Sequence, residues 1–233
     1  MTVISIVGIA PRIGKTAVAE LLLGRLKGWH VARVRVAGEI AEADRPRLSD
    51  AGHTLISRSE EAAADPDLRR LLDAGAAGAS LLLADPRGLE EGLAAMLRGL
   101  PPGADLLVEG NAFLWARQAN LAIMVIGPGP SGKGLARARP SVRELFAKVG
   151  LWAWNSRGNP TEEGFFEFPQ ALAGMGFHGA IDNRADFHHV SPTRSGDPGN
   201  RGFLEIVVRW VEHERSGAGG LSGRRGPDET RHL

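Results

Sequence analysis

The sequence predicts an α/β fold in which a mostly parallel sheet carries helices on both faces. Short apolar runs alternate along the chain with longer segments whose apolar residues recur at helical spacing. The runs are nearly continuous in apolar residues, as is typical of parallel strands that are buried on both faces. The strands are predicted at residues 3–7, 31–36, 80–83, 105–108, 121–126 and 151–154.

The helices of the first half are predicted from their ends. Residues 16–27 have one apolar face, and Gly28 follows as a typical residue after a helix C-terminus. Asp65 and Asp85 each precede a proline, so each is predicted as the N-cap of a helix whose first position is proline. These two helices are predicted to run to Gly75 and to about Leu97.

The pattern is weaker after residue 126. Ser141 and Glu144 have the spacing of a capping box, which predicts a helix to residue 149. Residues 170–175 are predicted as a short helix and residues 182–200 as a long loop. An amphipathic helix is predicted over residues 203–213, with Ile206, Val207, Trp210 and Val211 facing inward.

The domain organisation follows from a change in composition near the C-terminus. From residue 216 the chain is rich in glycine, arginine and polar residues, which favours disorder. No linker composition precedes that point. We therefore predict one domain over residues 1–215 and a disordered tail over residues 216–233.

Composition excludes several functional classes. The chain has no cysteine, which removes disulfides, thiolate metal sites and cysteine nucleophiles and makes a reducing cytoplasm the expected compartment. The 28 basic and 27 acidic residues nearly balance, so no nucleic-acid partner is expected. The longest apolar stretch, residues 121–126, is far shorter than a bilayer span, so no membrane partner is expected.

The strongest functional signal is the segment from Gly8 to Thr16, which follows a predicted strand and opens a predicted helix. Gly-Lys-Thr in this context is typical of a loop whose backbone N–H groups hold phosphates. The Lys15 ammonium is expected to reach the β and γ phosphates, and the Thr16 hydroxyl to bind Mg²⁺. The predicted nucleotide-binding residues of this segment are Gly8, Arg12, Ile13, Gly14, Lys15, Thr16 and Ala17.

Two features near this loop have alternative interpretations. The Arg12 side chain could meet a phosphate through both guanidinium nitrogens or point outward. A second Gly-Lys pair, at 132–133, has no helix pattern directly after it, which favours a flexible loop at the ligand edge of the sheet.

Glu109 ends an apolar strand, so its carboxylate is expected at the carboxyl edge of the sheet, beside the loop. A carboxylate there can bind Mg²⁺ directly or through water. A surface glutamate at the turn formed by Gly110 is the alternative.

The histidines do not indicate a metal or hydrolase site. His188 and His189 are adjacent, and His178 lies ten residues earlier, which is not the spacing of a zinc site. The sequence has no Gly-x-Ser-x-Gly segment, so a serine hydrolase is not predicted.

The loop, with five residues between Gly8 and Gly14, is similar to that of dethiobiotin synthetase and cobyrinic acid a,c-diamide synthase, which are P-loop NTPases. A second set of segments resembles molybdopterin-guanine dinucleotide biosynthesis protein B. Its members are Asp67-Leu68-Arg69, Ala74-Gly75-Ala76, the strand at 80–83, and residues 105–110, which end in Glu109-Gly110. These resemblances imply a P-loop NTPase fold.

The resemblance also implies roles for individual residues. Lys15 and Glu109 are the implied catalytic residues, and Asn155 resembles the asparagine that contacts the base. Thr16, Glu109 and an aspartate after the second strand are the implied metal ligands. Asp44 is our candidate for that aspartate, although other acidic residues compete for the role, namely Glu39, Glu42 and Asp50.

The function implied by the resemblance is Mg²⁺-dependent binding and slow hydrolysis of GTP or ATP, in support of an enzyme of molybdenum cofactor biosynthesis. One alternative is an ATP-dependent synthetase that acts on a small carboxylate or carbamate. Another is a nucleotide-gated adaptor without chemistry of its own. The rather apolar segment after Glu109 favours the first function over a synthetase; its side chains include Asn111, Phe113, Trp115 and Arg117.

The same resemblance implies a homodimer. Aromatic residues near the expected nucleotide edge agree with an interface there, although core packing explains them equally well; they are Trp115, Trp152, Trp154 and Phe165.

Overall fold

The computed structural model describes residues 1–36, 48–127, 138–156, 168–174, 187–194 and 196–217. In these ranges eight strands form one sheet. They are β1 (Val3–Gly8), β2 (His30–Val36), β3 (His53–Ile56), β4 (Gly78–Ala84), β5 (Leu106–Glu109), β6 (Leu121–Ile126), β7 (Leu151–Asn155) and β8 (Phe187–Val190). Their order across the sheet is β3-β4-β2-β5-β1-β6-β7-β8. All neighbouring pairs are parallel except β3 with β4.

The helices among the described residues pack into two groups. They are α1 (Lys15–Leu23), α2 (Ser59–Ala62), α3 (Pro66–Asp73), α4 (Leu89–Arg98), α5 (Asn111–Ala116), α6 (Pro140–Arg143), α7 (Phe168–Gly174) and α8 (Pro198–Arg215). Helix α1 packs against α3 and α8, whereas α4 packs against α5. Strands β1, β4, β5, β6 and β7 are buried over their whole length. The predicted α/β fold with a mostly parallel sheet is therefore confirmed.

Strand β1 lies in the interior of the sheet, between β5 and β6. Its β-branched residues are fully or almost fully buried, as a strand covered on both faces requires. In the register with β5, Ile6 pairs with Glu109, and in the register with β6, Gly8 pairs with Val125. Because the three strands are parallel, their carboxyl ends meet at one edge of the sheet.

The six predicted strands are all present, with boundaries that differ by at most two residues. Strand β3 was not predicted; it has four residues and pairs antiparallel at the sheet's edge. The predicted loop at 182–200 is wrong in part, because residues 187–190 form β8 beside β7. Two adjacent histidines in β8 interrupt the apolar pattern that identifies the other strands.

Some helix ends differ from the prediction. The Asp65 cap is confirmed, since its carboxylate accepts hydrogen bonds from the N–H groups of Asp67 and Leu68 at 2.9 and 3.1 Å. The Asp85 cap is wrong: its carboxylate accepts hydrogen bonds from Arg87 and Gly88, forming a turn, and α4 begins only at Leu89. Helix α1 ends at Leu23 instead of residue 27.

The predicted capping box at Ser141 is also wrong. Helix α6 begins at Pro140, is only four residues long, and has no side-chain cap. A separate 3₁₀ turn follows at Phe146–Lys148. A proline at the first position explains this earlier start, because its fixed φ suits the first turn of a helix.

The aromatic residues of β7 belong to the core. The rings of Trp152 and Trp154 are buried and contact the ring of Phe168. Helix α8 extends beyond the prediction at both ends and buries Phe203, Val207 and Val211, whereas Ile206 and Trp210 are half-buried. Within the described part of the chain, no helix is both long and apolar enough to cross a bilayer. The predicted tail lies outside the described residues from 218 onward.

Candidate phosphate-binding site

The loop between β1 and α1 turns through two left-handed residues. Arg12 has φ 57° and Gly14, the N-cap of α1, has φ 98°. Position 14 needs glycine for two reasons. Its φ is positive, and a Cβ there would lie 2.1 Å from Nδ2 of Asn155. At Gly8, a Cβ would lie 2.8 Å from the Ile13 side chain. The two predicted glycines therefore allow the loop to close tightly on itself.

Two asparagine amides hold this loop. The Asn111 amide accepts a hydrogen bond from the Gly8 N–H at 2.9 Å and donates one to the Gly8 carbonyl at 3.0 Å. The Asn155 amide donates to the Ile13 carbonyl at 3.0 Å. The N–H groups that open α1 have no partner within the helix, and they carry the positive end of its dipole. The loop is thus held at both ends while the start of the helix offers donors to an anion.

The residue that follows the loop lysine is joined to the end of β5. The Thr16 hydroxyl donates a hydrogen bond to Oε2 of Glu109 at 3.0 Å, and both residues are buried. Glu109 is only 2% exposed, so it is not the surface glutamate of the alternative interpretation. Burial raises the pKa of Glu109, and the positive charges of Arg33 and Lys15 act against that rise. The geometry therefore brings Lys15, Thr16 and Glu109 together, as the sequence predicted.

Sequence reasoning missed a network of charges that adjoins Glu109. Nη1 of Arg33 donates to both carboxylate oxygens of Asp65, at 2.8 and 3.0 Å. Nη2 of Arg33 lies 2.5 Å from Asp67 and 3.9 Å from Oε1 of Glu109. Arg35 contacts Asp65 at 2.5 Å. We call Arg33, Arg35, Asp65 and Asp67 the charge network.

The charge network is held between β2 and the start of α3. Burial works against the charge of Arg33, but the carboxylates of Glu109, Asp65 and Asp67 raise its pKa above the ordinary value. One sequence signal could have found the network: Arg33 and Arg35 alternate on a strand whose other residues after His30 are apolar, so the two arginines lie on one face of it. Asp65 was predicted only as a helix cap.

A cavity of about 440 Å³ opens at this edge of the sheet. The predicted residues Gly8, Arg12, Lys15 and Glu109 line it. Asn155 does not line it and lies instead against the loop, next to Gly14. The remaining lining comes from β2, the β5–α5 junction and the start of α6, and it includes Arg33, Arg35, Asn111, Trp115, Arg139 and Ser141.

Other candidates stand apart from this cavity or outside the described residues. Asp44, the Gly-Lys pair at 132–133, Phe165 and His178 lie outside the described residues. His188 and His189 lie in β8, beside β7. In the ranges that the structure describes, no group of three or more metal-binding side chains converges.

The residues at the loop nonetheless fit a magnesium ion. Mg²⁺ takes oxygen ligands, and proteins commonly supply only one or two of them while phosphates and water provide the rest. The Thr16 hydroxyl and the Glu109 carboxylate are oxygen donors that already meet at 3.0 Å beside the start of α1. Their ligand role stays a prediction.

Comparisons with known proteins give a likeness of fold. No protein-family profile and no curated protein matches the chain. A plasmid partition protein from Borrelia burgdorferi is similar in structure, with a TM-score of 0.46 and 14% identity over 89% of this chain and 98% of that one. A second one from the same organism, bound to AMPPNP, gives a TM-score of 0.44 and 13% identity over 89% and 98% of the two chains.

A third similar structure is the MinC:MinD cell division protein complex from Aquifex aeolicus. Its TM-score is 0.42, with 13% identity over 97% of this chain and 99% of that chain. Likeness of this degree concerns the path of the chain and says nothing of the ligand or activity of this protein.

Proposed function

We propose that this chain binds a nucleoside triphosphate together with Mg²⁺ at the loop from Gly8 to Thr16 and hydrolyses it slowly. The observation that carries the proposal is the 3.0 Å hydrogen bond between Thr16 and the buried carboxylate of Glu109. It places two oxygen donors directly at the start of α1, where backbone N–H groups and the Lys15 ammonium would hold an anion. A helix start used only for packing has no need of a buried carboxylate beside it.

Each residue of the loop then has a distinct task. The N–H groups at the start of α1 bind phosphate oxygens, and the Lys15 ammonium neutralises their charge. Bound Mg²⁺ supplies electrostatic stabilisation of the negative charge on the phosphates. Asn111 and Asn155 keep the loop in its binding conformation before a ligand arrives, so less conformational entropy is lost on binding.

Glu109 is held so that one of its oxygens stays available. Oε2 accepts the hydrogen bond from Thr16, whereas Oε1 lies 3.9 Å from Arg33, too far for a hydrogen bond. Oε1 therefore keeps the capacity to accept a proton from a water molecule and to orient that water for attack. Burial raises the pKa of Glu109, which suits a group that accepts a proton, while the positive charges of Arg33 and Lys15 limit that rise.

Narrower features of the function stay predictions. No contact among the described residues bears on the choice between ATP and GTP. The same holds for a role in molybdenum cofactor biosynthesis and for a homodimer. The adaptor alternative differs from the proposal in one measurable respect, since an adaptor would bind the triphosphate without hydrolysing it.

A nucleotide panel tests the binding step. We expect calorimetry to show tighter binding of ATP or GTP than of the corresponding monophosphate, because the additional phosphates reach Lys15 and the metal. The difference should require Mg²⁺. Equal affinity for triphosphate and monophosphate, or no binding of either, would contradict the proposal.

Two substitutions then separate binding from hydrolysis. Lys15→Ala removes a charge-assisted contact worth about 1.5–3 kcal/mol, which corresponds to a roughly ten- to hundred-fold loss of triphosphate affinity. Glu109→Gln keeps the shape of the side chain but removes its charge, so hydrolysis should fall far more than affinity. Affinity is measured by calorimetry and hydrolysis by phosphate release.

Matched controls come from exposed residues outside the cavity. Lys27→Ala and Glu91→Gln make the same chemical changes at exposed positions and should leave both quantities unchanged. Undiminished hydrolysis in Glu109→Gln would remove Glu109 from the active site. Binding of triphosphate without any hydrolysis by the wild-type chain would favour the adaptor.

A further inference from the structure

We propose that the cavity holds a second ligand beside the terminal phosphate: a small planar anion, bound by the Arg139 guanidinium and stacked on the Trp115 indole. The inference deepens the proposed function and rests on it for the position of the nucleotide. It assigns a ligand class to the part of the cavity that a nucleotide on the loop does not occupy.

The cavity extends well beyond the phosphate loop. Its lining reaches from the phosphate loop across the end of β5 to Val34 and Arg35 of β2. Strand β2 is the second neighbour of β1, with β5 between them. Adjacent strands lie about 4.8 Å apart, so this wall is roughly 10 Å to the side of β1. A volume of about 440 Å³ lies in the range of small-molecule sites.

The arginines that line the cavity differ in how much of their charge remains for a ligand. The guanidinium groups of Arg33 and Arg35 contact the carboxylates of Asp65 and Asp67, so much of their charge is balanced within the protein. Arg139 lines the same cavity, is exposed, and makes no ion pair or side-chain hydrogen bond with the described residues. A guanidinium in this situation favours a carboxylate or phosphate, which it can bind through two parallel hydrogen bonds.

The indole of Trp115 is exposed at the edge of the cavity. This side chain is 38% exposed, whereas Trp29, Trp152 and Trp154 are at most 4% exposed. The Trp115 N–H donates to the Ser141 carbonyl at 3.1 Å, which fixes the ring between α5 and α6. The indole lines both this cavity and a neighbouring one of about 370 Å³. A fixed aromatic surface at the edge of a cavity is suited to stacking on a planar group.

Arg139 and Trp115 together select a ligand by charge and shape. A neutral molecule would leave the guanidinium without a counterion, and a cation would be repelled by Arg139 and Lys15. A purely inorganic anion would leave the indole unused. The ligand class that meets both requirements is a planar ring with an anionic substituent.

The test uses benzoate and phenyl phosphate as probes, with benzamide as the neutral analogue of benzoate. Binding to the full chain is measured by saturation-transfer NMR and calorimetry in the presence of saturating Mg²⁺ and AMPPNP, so that the phosphate loop is already occupied. We expect at least one of the two anions to bind and benzamide to bind at least ten-fold more weakly. Benzoate and phenyl phosphate distinguish a carboxylate ligand from a phosphate ligand.

Substitutions locate the probe. Arg139→Gln and Trp115→Leu should each weaken its binding about ten-fold or more. Arg143→Gln is the matched control, because Arg143 ends the short helix that Arg139 precedes and does not line the cavity. It should bind the probe like the wild-type chain. Unchanged probe binding in Arg139→Gln would overturn the proposal, as would the failure of both anions to bind.

Competition separates this site from the nucleotide site. Displacement of the probe by AMPPNP would show that Trp115 and Arg139 belong to the nucleotide site, and it would overturn the proposal. Lys15→Ala, tested without nucleotide, should keep its probe affinity, because Lys15 is assigned to the phosphates. If the wild-type chain binds the probe but no nucleotide, the proposed function fails while the planar-anion site stands.

Discussion

Two walls of the cavity are held by different forces. The phosphate loop is held by the neutral amides of Asn111 and Asn155, which bond to its backbone. The wall formed by β2 is held by the charge network, with Asp65 as its most buried member. We call these two amides the clamps. Because the clamps are uncharged, the electrostatic field at the phosphates comes from Lys15 and the start of α1. Fixed ion pairs at the other wall orient Arg33 toward Glu109 before any ligand binds.

The largest effect is expected at Asp65. Asp65→Ala removes the N-cap of α3 and leaves Arg33 and Arg35 without their shared, buried partner. Breaking a buried ion pair from one side typically costs about 3–5 kcal/mol of folding free energy. We expect a loss of that size in urea unfolding, measured as a change in the midpoint at constant slope.

Asp197→Ala is the control that isolates the contribution of the cap. The Asp197 carboxylate caps α8 by accepting a hydrogen bond from the Gly199 N–H, and it makes no ion pair among the described residues. Its loss should cost only about 1 kcal/mol. Equal losses for Asp65→Ala and Asp197→Ala would mean that the charge network adds nothing to stability.

An intermediate effect is expected at the amide clamps. Asn111→Ala leaves the N–H and carbonyl of Gly8 without their partner, and a buried polar group without a hydrogen bond costs about 1–3 kcal/mol. Triphosphate affinity should fall as well, because the loop loses its fixed conformation. Asn111→Asp should lower that affinity further by adding a negative charge beside the phosphates. Urea unfolding measures the loss of stability, and calorimetry measures the loss of triphosphate affinity.

Asn120→Ala serves as the control for the clamps. The Asn120 carbonyl oxygen accepts a hydrogen bond from the Val3 N–H at 2.9 Å, at the opposite end of β1. The substitution should reduce stability without changing nucleotide affinity. A similar loss of affinity in both variants would show that the clamps act through overall stability alone.

The smallest effect is expected from His30, at the amino end of the strand that carries Arg33 and Arg35. His30 and Ser80 form a buried, neutral hydrogen bond at 2.9 Å. Burial lowers the pKa of His30 below its ordinary value of 6.5, so the unfolded chain takes up this proton at a higher pH than the folded chain does. The stabilisation is therefore present above pH 6.5 and decreases as the pH falls below it.

Unfolding titrations in urea above and below pH 6.5 measure this loss of folding free energy. In His30→Gln, the contribution of this residue to the pH dependence of the unfolding free energy should disappear. An unchanged pH profile in the variant would assign the effect to another group.

The parts of the site that the sequence could predict are those encoded locally. The loop from Gly8 to Thr16 has its glycines, lysine and hydroxyl within nine residues, between a strand and a helix. Glu109 was predictable because a carboxylate at the end of an apolar strand emerges at the ligand edge of a parallel sheet. The Asp65 cap was predicted from the proline that follows it, but the same signal was wrong at Asp85, whose carboxylate stabilises a turn instead.

The parts that it could not predict depend on distant pairs. Arg33 and Asp65 are 32 residues apart, and no pattern within either segment names the other as its partner. Helix α5 was missed because its six residues are too few to show a periodicity. The exposed Trp115 resembles the core tryptophans in sequence, and only the packing of α5 against the sheet shows that it differs.

The clamps also determine when the loop can be completed during synthesis. Gly8 and Asn111 are separated by 103 positions, and Ile13 and Asn155 by 142. Ribosomes add about 5–20 residues per second, so the nascent loop waits roughly 7–28 s for its second clamp. Throughout that interval the polypeptide already displays the Gly-Lys-Thr segment without the contact from Asn155. A ribosome-bound chain that stops before residue 155 should therefore retain nucleotide poorly, and competence should arise only once Asn155 has emerged from the ribosome.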